Sequence, residues 1–246
     1  MRSLTKLTTL QLKLFFRDPT AIVFTLGFPL MLIIFFGGGA NTAQERFGGL
    51  GSGDILVPGY IGWIIATTGL MALTGALAMD RENRILRLFG ATPLRPATLL
   101  VAYVLAQFVI TTMGMGVLIG IAKISFGMRF LGNPASLFAA YFLGCMSFYT
   151  LSFVLAGVMP TGRATQRVST ILFFPMIFFT GATIPFEGMP ESAQQIGQFL
   201  PLTYIISLLR GVWAGGSLSA HGTDIAVLLS ILVIGIAISA KTFRWE

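Results

Sequence analysis

The sequence predicts an all-α integral membrane protein with six transmembrane helices, and three observations lead there. Of the 246 residues, 55% are hydrophobic and only 10% are charged, against about a quarter charged in a soluble domain. The charges sit in short segments between long uncharged runs, and a run of about 20 apolar residues spans a bilayer as a helix. Six such runs can be placed, at 20–40, 55–79, 97–122, 134–159, 168–184 and 224–240. One such run fits a buried helix in a soluble core, but six do not. No stretch of about 50 residues is left for a soluble domain, so 1–246 reads as one membrane domain.

Residues 1–19, ahead of the first span, read as an amphipathic interfacial helix. Arg2, Lys6, Lys13 and Arg17 share one side of a helical wheel, and Leu4, Leu7, Leu14 and Phe15 share the other. Such a helix lies in the headgroup layer with its basic face toward water. Asp18 is placed to cap the span that Pro19 starts. A simple anchor and a mechanical element fit this pattern equally. A signal peptide is the competing reading of the first span, but its apolar stretch is long and five more spans follow. The single cysteine, Cys145, excludes an intrachain disulfide.

Basic residues set the topology. With the N-terminus inside, the inner segments hold twelve Lys and Arg: Arg2, Lys6, Lys13, Arg17, Arg81, Arg84, Arg87, Arg95, Arg163, Arg167, Lys241 and Arg244. The outer segments hold four: Arg46, Lys123, Arg129 and Arg210. An excess of Lys and Arg marks the cytoplasmic side. The net charge of +7 is therefore a topology signal. A nucleic-acid surface fits poorly, because the basic residues are dispersed among loops.

The inner loop 80–96 predicts a short cytoplasmic helix over Asp80–Gly90. Ile85, Leu88 and Phe89 form an apolar ridge at helical spacing, flanked by Arg81, Glu82, Arg84 and Arg87. Gly90 stops it, and Pro93 and Pro96 prevent continuation. Such a ridge suits a partner's groove, while a solvated basic loop is the plainer reading. The outer segment 185–223 predicts two short helices, Glu191–Phe199 and Thr203–Leu209, separated by Pro201. Both are too short to span, so re-entrant or surface-lying placements remain.

Missing residues limit the chemistry. None of the four lysines follows a glycine, so the chain has no phosphate-binding Gly-Lys-Ser/Thr loop and is not itself an ATPase. One His and one Cys cannot build a His/Cys metal site. The spans carry almost no ionisable side chain, unlike ion-coupled carriers, which favours energy supplied by a partner. An intramembrane serine protease needs a Ser and a His within reach, and His221 and Ser52 both fall in outer loops. His221 reads instead as part of a turn before the sixth span.

The chain resembles the permease subunits of type-2 ABC exporters, the group of daunorubicin-type drug exporters and polysaccharide or lipid exporters. The resemblance runs along nearly the whole chain. Phe16-Arg17-Asp18-Pro19 with Phe28-Pro29 looks like the family's opening. Arg81-Glu82, Leu86 and Ala91-Thr92-Pro93-Leu94 are similar to its coupling segment. Phe174-Pro175, Thr180-Gly181, Ile184-Pro185, Met189-Pro190, Leu200-Pro201-Leu202-Thr203-Tyr204 and Leu209-Arg210-Gly211 follow its fifth span and outer helices. One departure is Asn83-Arg84, where many members have Gly-Thr.

The resemblance implies an exporter permease in the plasma membrane with both termini cytoplasmic. Two permeases, copies or paralogues, would pair, each contacting a cytoplasmic ATP-binding subunit. ATP and magnesium would bind that subunit and no cofactor this chain. The interfacial helix, with Lys6, Lys13 and Arg17, and the coupling residues Arg81, Glu82, Ile85, Leu88 and Phe89 would carry nucleotide-driven motion to the spans. An amphipathic drug-like or lipid-like substrate would pass between the permeases, near Phe28, Pro29, Phe174, Pro175 and Phe178, and the outer helices would gate its exit. Pro29 and Pro175 would free carbonyls toward this path, although packing kinks explain them equally. A polysaccharide exporter permease, a passive channel and a structural membrane subunit are the alternatives.

The charge split generates a topology prediction. Single cysteines at Ser3, Gly48, Gly188 and Thr242, in a Cys145→Ser background, are treated with a membrane-impermeant thiol reagent in intact cells. Gly48→Cys and Gly188→Cys should label, and labelling of Ser3→Cys would overturn the orientation.

Overall fold

The computed structural model describes residues 2–36, 52–83, 96–183 and 186–242, and these are helical with short connections. Nine helices suffice to describe them. They are α1 (Arg2–Arg17), α2 (Pro19–Phe36), α3 (Asp54–Glu82), α4 (Pro96–Phe126), α5 (Pro134–Val158), α6 (Gly162–Phe179), α7 (Glu191–Gly197), α8 (Pro201–Trp213) and α9 (Gly222–Thr242). Among the described residues, five helical segments are long and apolar enough to cross a membrane alone: α2, α3, α4, α5 and α9 with its lead-in from Leu218. The pair α7 and α8, bent by 99°, makes a sixth if it counts as one broken span. The chain is an all-α, multi-pass integral membrane protein.

Local chemistry fixes the helix ends. Asp18 caps α2, its Oδ1 accepting from Thr20 N at 2.9 Å and Ala21 N at 3.1 Å, with Pro19 at the first position. Asn133 and Pro134 start α5 in the same way, Ala135 N lying 2.8 Å from Asn133 Oδ1. Thr161 caps α6 through Ala164 N at 3.2 Å. The helix over the fifth apolar run begins at Gly162, ahead of Val168, and gives way to a turn at Thr180. Its first turns carry Arg163 and Arg167, which shortens the apolar part. The short helices after it are Glu191–Gly197, which stops short of the expected Phe199, and Pro201–Trp213, which extends beyond the expected Thr203–Leu209 at both ends.

Helix α3 is the hub. In its most apolar stretch 78% of residues are buried, against 17% in α2 and 11% in the α9 stretch. It touches α2, α4, α5, α6 and α8, while α9 packs chiefly on α5 and α1 lies along α4. The arrangement leaves α2, α4 and α9 facing outward with apolar side chains such as Phe35, Val117 and Val233, as a lipid-embedded surface requires.

Two π-helical turns interrupt the spans, at Val23–Gly27 in α2 and Thr67–Leu73 in α3. The first precedes Pro29, whose missing N–H and bulky ring disturb the ladder one turn back. The second is held by hydroxyls. Thr67 and Thr68 donate to the carbonyls of Trp63 and Ile64 at 2.9 and 2.7 Å, and Ser152 of α5 donates to Gly69 O at 2.7 Å. A carbonyl loosened from the ladder thus keeps a partner where no water is at hand. From α4, the Thr111 hydroxyl donates to Gln107 O at 2.7 Å. Thr111 Oγ1 also lies 2.9 Å from Thr68 Oγ1 and 2.7 Å from the Tyr149 hydroxyl. This buried chain of hydroxyls stitches α3, α4 and α5 together.

Close approach decides one position sharply. Gly59 of α3 lies against the turn after α6, and a Cβ there would sit 2.9 Å from the carbonyl oxygens of both Gly181 and Ala182. Gly181 adopts φ 86° and its carbonyl accepts from Arg210 Nη2 at 2.8 Å, so the turn is anchored from α8. Gly59→Ala should therefore cost about 1–3 kcal/mol, read as a lower melting temperature in mild detergent. Gly116→Ala on the outward face of α4, where a Cβ meets nothing within 4 Å, should be neutral or slightly stabilising. Equal melting temperatures for wild type and Gly59→Ala would mean that the turn yields.

Candidate functional site

The charged end of α3 ties three helices at once. Asp80, Arg81 and Glu82 are consecutive, and each side chain bonds a different helix. The Tyr103 hydroxyl of α4 donates to Asp80 Oδ2. Arg81 donates through Nη1 to Ala156 O at 2.6 Å and Gly157 O at 3.3 Å, and through Nη2 to Met159 O. The first two carbonyls belong to the last turn of α5, and the third to its C-cap residue. Glu82 Oε2 accepts Gly162 N at 2.8 Å, an N–H in the first turn of α6. A helix leaves its last carbonyls and first N–H groups unpaired, with partial negative and positive charge. Arg81 and Glu82 meet each with the opposite sign, closing the α5–α6 connection onto α3.

Other sequence-predicted residues fall as follows. Lys6, Lys13 and Arg17 are exposed along α1, whose Phe15 is buried on the opposite side. Ile85, Leu88 and Phe89 lie outside the described residues, as does most of the expected coupling helix. Phe28 stacks on Trp63 of α3 at 4.9 Å, and Trp63 meets Phe173 of α6 edge-on at 5.9 Å. Pro29 is buried and Pro175 half-buried, whereas Phe174 and Phe178 point outward, each more than half exposed. The structure thus joins the first and fifth apolar runs through an aromatic column centred on Trp63. It does not bring Phe28 directly against Phe174 or Phe178.

Sequence reasoning missed Trp63 and Phe173, which carried no signal beyond being apolar. It also missed the intrachain partners of Arg81 and Glu82, which lie 75–80 residues away along the chain. His221 lies 3.0 Å from Asp224 through Nδ1, and Ser207 donates to the same carboxylate at 2.8 Å. Ser207 therefore hydrogen-bonds the acid and not the imidazole, and the cluster braces the start of α9 against α8.

The clamp generates a measurable expectation. Hydrogen bonds to charged groups contribute about 1.5–3 kcal/mol. Glu82→Ala should speed amide exchange across 156–165 by roughly tenfold or more. Glu82→Gln, which keeps an acceptor oxygen, should do so less. Exchange in α9 is the internal control, and unchanged exchange at 156–165 in Glu82→Ala would refute the clamp.

The ABC-2 type transporter family model matches residues 2–213. Among similar proteins, nodulation protein J of Rhizobium leguminosarum bv. viciae is 29% identical over 99 residues, covering 40% of this chain and 38% of that protein. Nodulation protein J of Neorhizobium galegae is 22% identical over 92% of this chain and 86% of its own length. The linearmycin resistance permease protein LnrN of Bacillus subtilis is 25% identical over 71% of this chain and 46% of its own length. The matched region thus spans less than half of two of these relatives and most of the third. With a family match over nearly all of its helices, this chain belongs to the ABC-2 type transporter family.

Proposed function

We propose that this chain is the permease subunit of an ATP-driven ABC exporter in the plasma membrane. It moves an amphipathic, drug-like or lipid-like substrate out of the cytoplasm and works with a separate ATP-binding subunit. The observation that carries this reading is the Asp80-Arg81-Glu82 triplet. The resemblance puts the contact with the ATPase in the Asp80–Gly90 segment that this triplet opens, with Arg81, Glu82, Ile85, Leu88 and Phe89 as the coupling residues. Force applied there reaches α4, α5 and α6 together through Tyr103, the end of α5 and the start of α6. A permease driven from outside needs such a junction, since helices that are packed but not tied slide past one another.

Three further features support the reading. The spans are apolar and almost free of charge, which suits a substrate with little charge in its transported part. One relative bears a name that refers to linearmycin resistance. The outward Phe24, Phe35 and Phe36 of α2 and Ile171, Phe174 and Phe178 of α6 offer an apolar surface for a second permease copy.

Purified alone, the chain should hydrolyse no ATP. Reconstituted with its ATP-binding partner, it should support vanadate-sensitive turnover and substrate efflux from vesicles. Phe89→Ala should weaken ATPase capture by about 2 kcal/mol, roughly thirtyfold in affinity, and reduce efflux. Arg81→Ala should leave capture intact while ATP turnover no longer drives efflux. Arg95→Ala should be mild. Normal efflux in both Phe89→Ala and Arg81→Ala would reject this coupling route.

A further inference from the structure

A cavity of about 510 Å³ lies between α1, the start of α2, α3 and α4. That is the size of a small-ligand site. Its walls are mostly apolar, with Leu14, Ala76 and Ile110 among them, and its polar groups are Gln11, Asp18, Asp80, Tyr103 and Gln107. Two carboxylates line it, and among the described residues no Lys or Arg does. Gln107 is only 8% exposed, yet its Nε2 has no hydrogen-bond partner. A buried amide N–H without an acceptor is destabilising. The aromatic column does not border the cavity, and neither does the outward surface of α6.

We propose that this cavity is a binding site for one amine-bearing amphiphile, distinct from the path between paired permeases. The tail lies along the apolar wall beneath α1. The ammonium sits by Asp80 and Asp18, where the carboxylates supply its counter-charge and no described residue of like sign lines the wall. An ester or phosphate oxygen next to the ammonium accepts from Gln107 Nε2, supplying the acceptor that the amide lacks. The mouth opens beside exposed Leu10 and Leu14 of α1, on a helix built to lie at the membrane surface, so entry is from the lipid. An aminophospholipid and a free alkylamine share this chemistry, and only the first carries the acceptor oxygen.

The test uses the full chain without its ATPase, so that its failure leaves the exporter reading untouched. The chain is placed in nanodiscs of phosphatidylcholine alone, with added phosphatidylethanolamine, or with added dodecylamine. Retained molecules are counted by native mass spectrometry. Wild type should retain one phosphatidylethanolamine in preference to phosphatidylcholine. Ala76→Phe, which fills the cavity, should lose it. Gln107→Leu, which keeps the volume, should lower its occupancy about fivefold, the worth of one hydrogen bond, and leave dodecylamine unaffected. Asp80→Asn should remove the preference for the ammonium headgroup, with Gly116→Ala as an unaffected control and melting curves confirming that each variant is folded. Retention of dodecylamine but not phosphatidylethanolamine would assign the site to free amines and refute the role of Gln107. Equal occupancy in Ala76→Phe and wild type, or no preference for the amine in wild type, would overturn the proposal.

Discussion

Unpaired backbone at helix ends is the constraint on which this molecule turns. A helix crossing lipid satisfies its own ladder, but its first N–H and last C=O groups do not pair within it. Here the connection between α5 and α6 is short, 159–161, and both of its ends are met by one dipeptide on α3. The guanidinium of Arg81 takes the carbonyls, and the carboxylate of Glu82 takes the first N–H. The same turn of α3 holds α4 through Asp80. Every other span is then positioned relative to α3: α8 along its apolar half, α9 through α5, and α1 through α4.

Within the bilayer the same demand is answered by hydroxyls. Threonine and serine can return a bond to a carbonyl one turn back or lend it across to a neighbouring helix. Thr68, Thr111 and Ser152 each return a bond one turn back around the π turn of α3, and Thr111 and Ser152 also reach across to α3, with Tyr149 hydrogen-bonded to Thr111. They let that helix carry an irregular turn at depth without an exposed carbonyl. Ser147 does likewise for α9, donating to Leu228 O at 3.0 Å.

Much of this was legible in the sequence because its causes are local. Apolar runs, Asp18 before Pro19, and basic residues at helical spacing ahead of the first span each act within a few residues, and they read directly as α1, its cap and the spans. The start of α6 was harder. A hydropathy run begins only after Arg167, whereas the helix begins where Thr161 can cap it. Arg81 and Glu82 read as loop charges facing a partner, since nothing nearby along the chain announces that α5 ends and α6 begins beside them. The broken pair α7 and α8 followed from Pro201 and from its length, but not its bend of 99°. The aromatic column and the cavity beneath α1 depend on which faces meet, and one sequence carries little record of that.

The π turn in α3 also sets the angular phase of the whole helix. Such a turn holds about one residue more than an α turn, and each residue in an α-helix advances by about 100°. The faces presented by Tyr60 and Ile64 on one side of it, and by Leu77 and Arg81 on the other, therefore belong to two different helical rulers. Apolar stripes counted through residues 67–73 as though the helix were uniform end on the wrong side. Shortening the chain by one residue in this stretch would yield a more regular helix with a misdirected end. Arg81 and Glu82 would both turn away from the α5–α6 connection, and Asp80 from Tyr103. The irregularity is thus the offset that lets an apolar upper face and a charged lower face each meet their own neighbours.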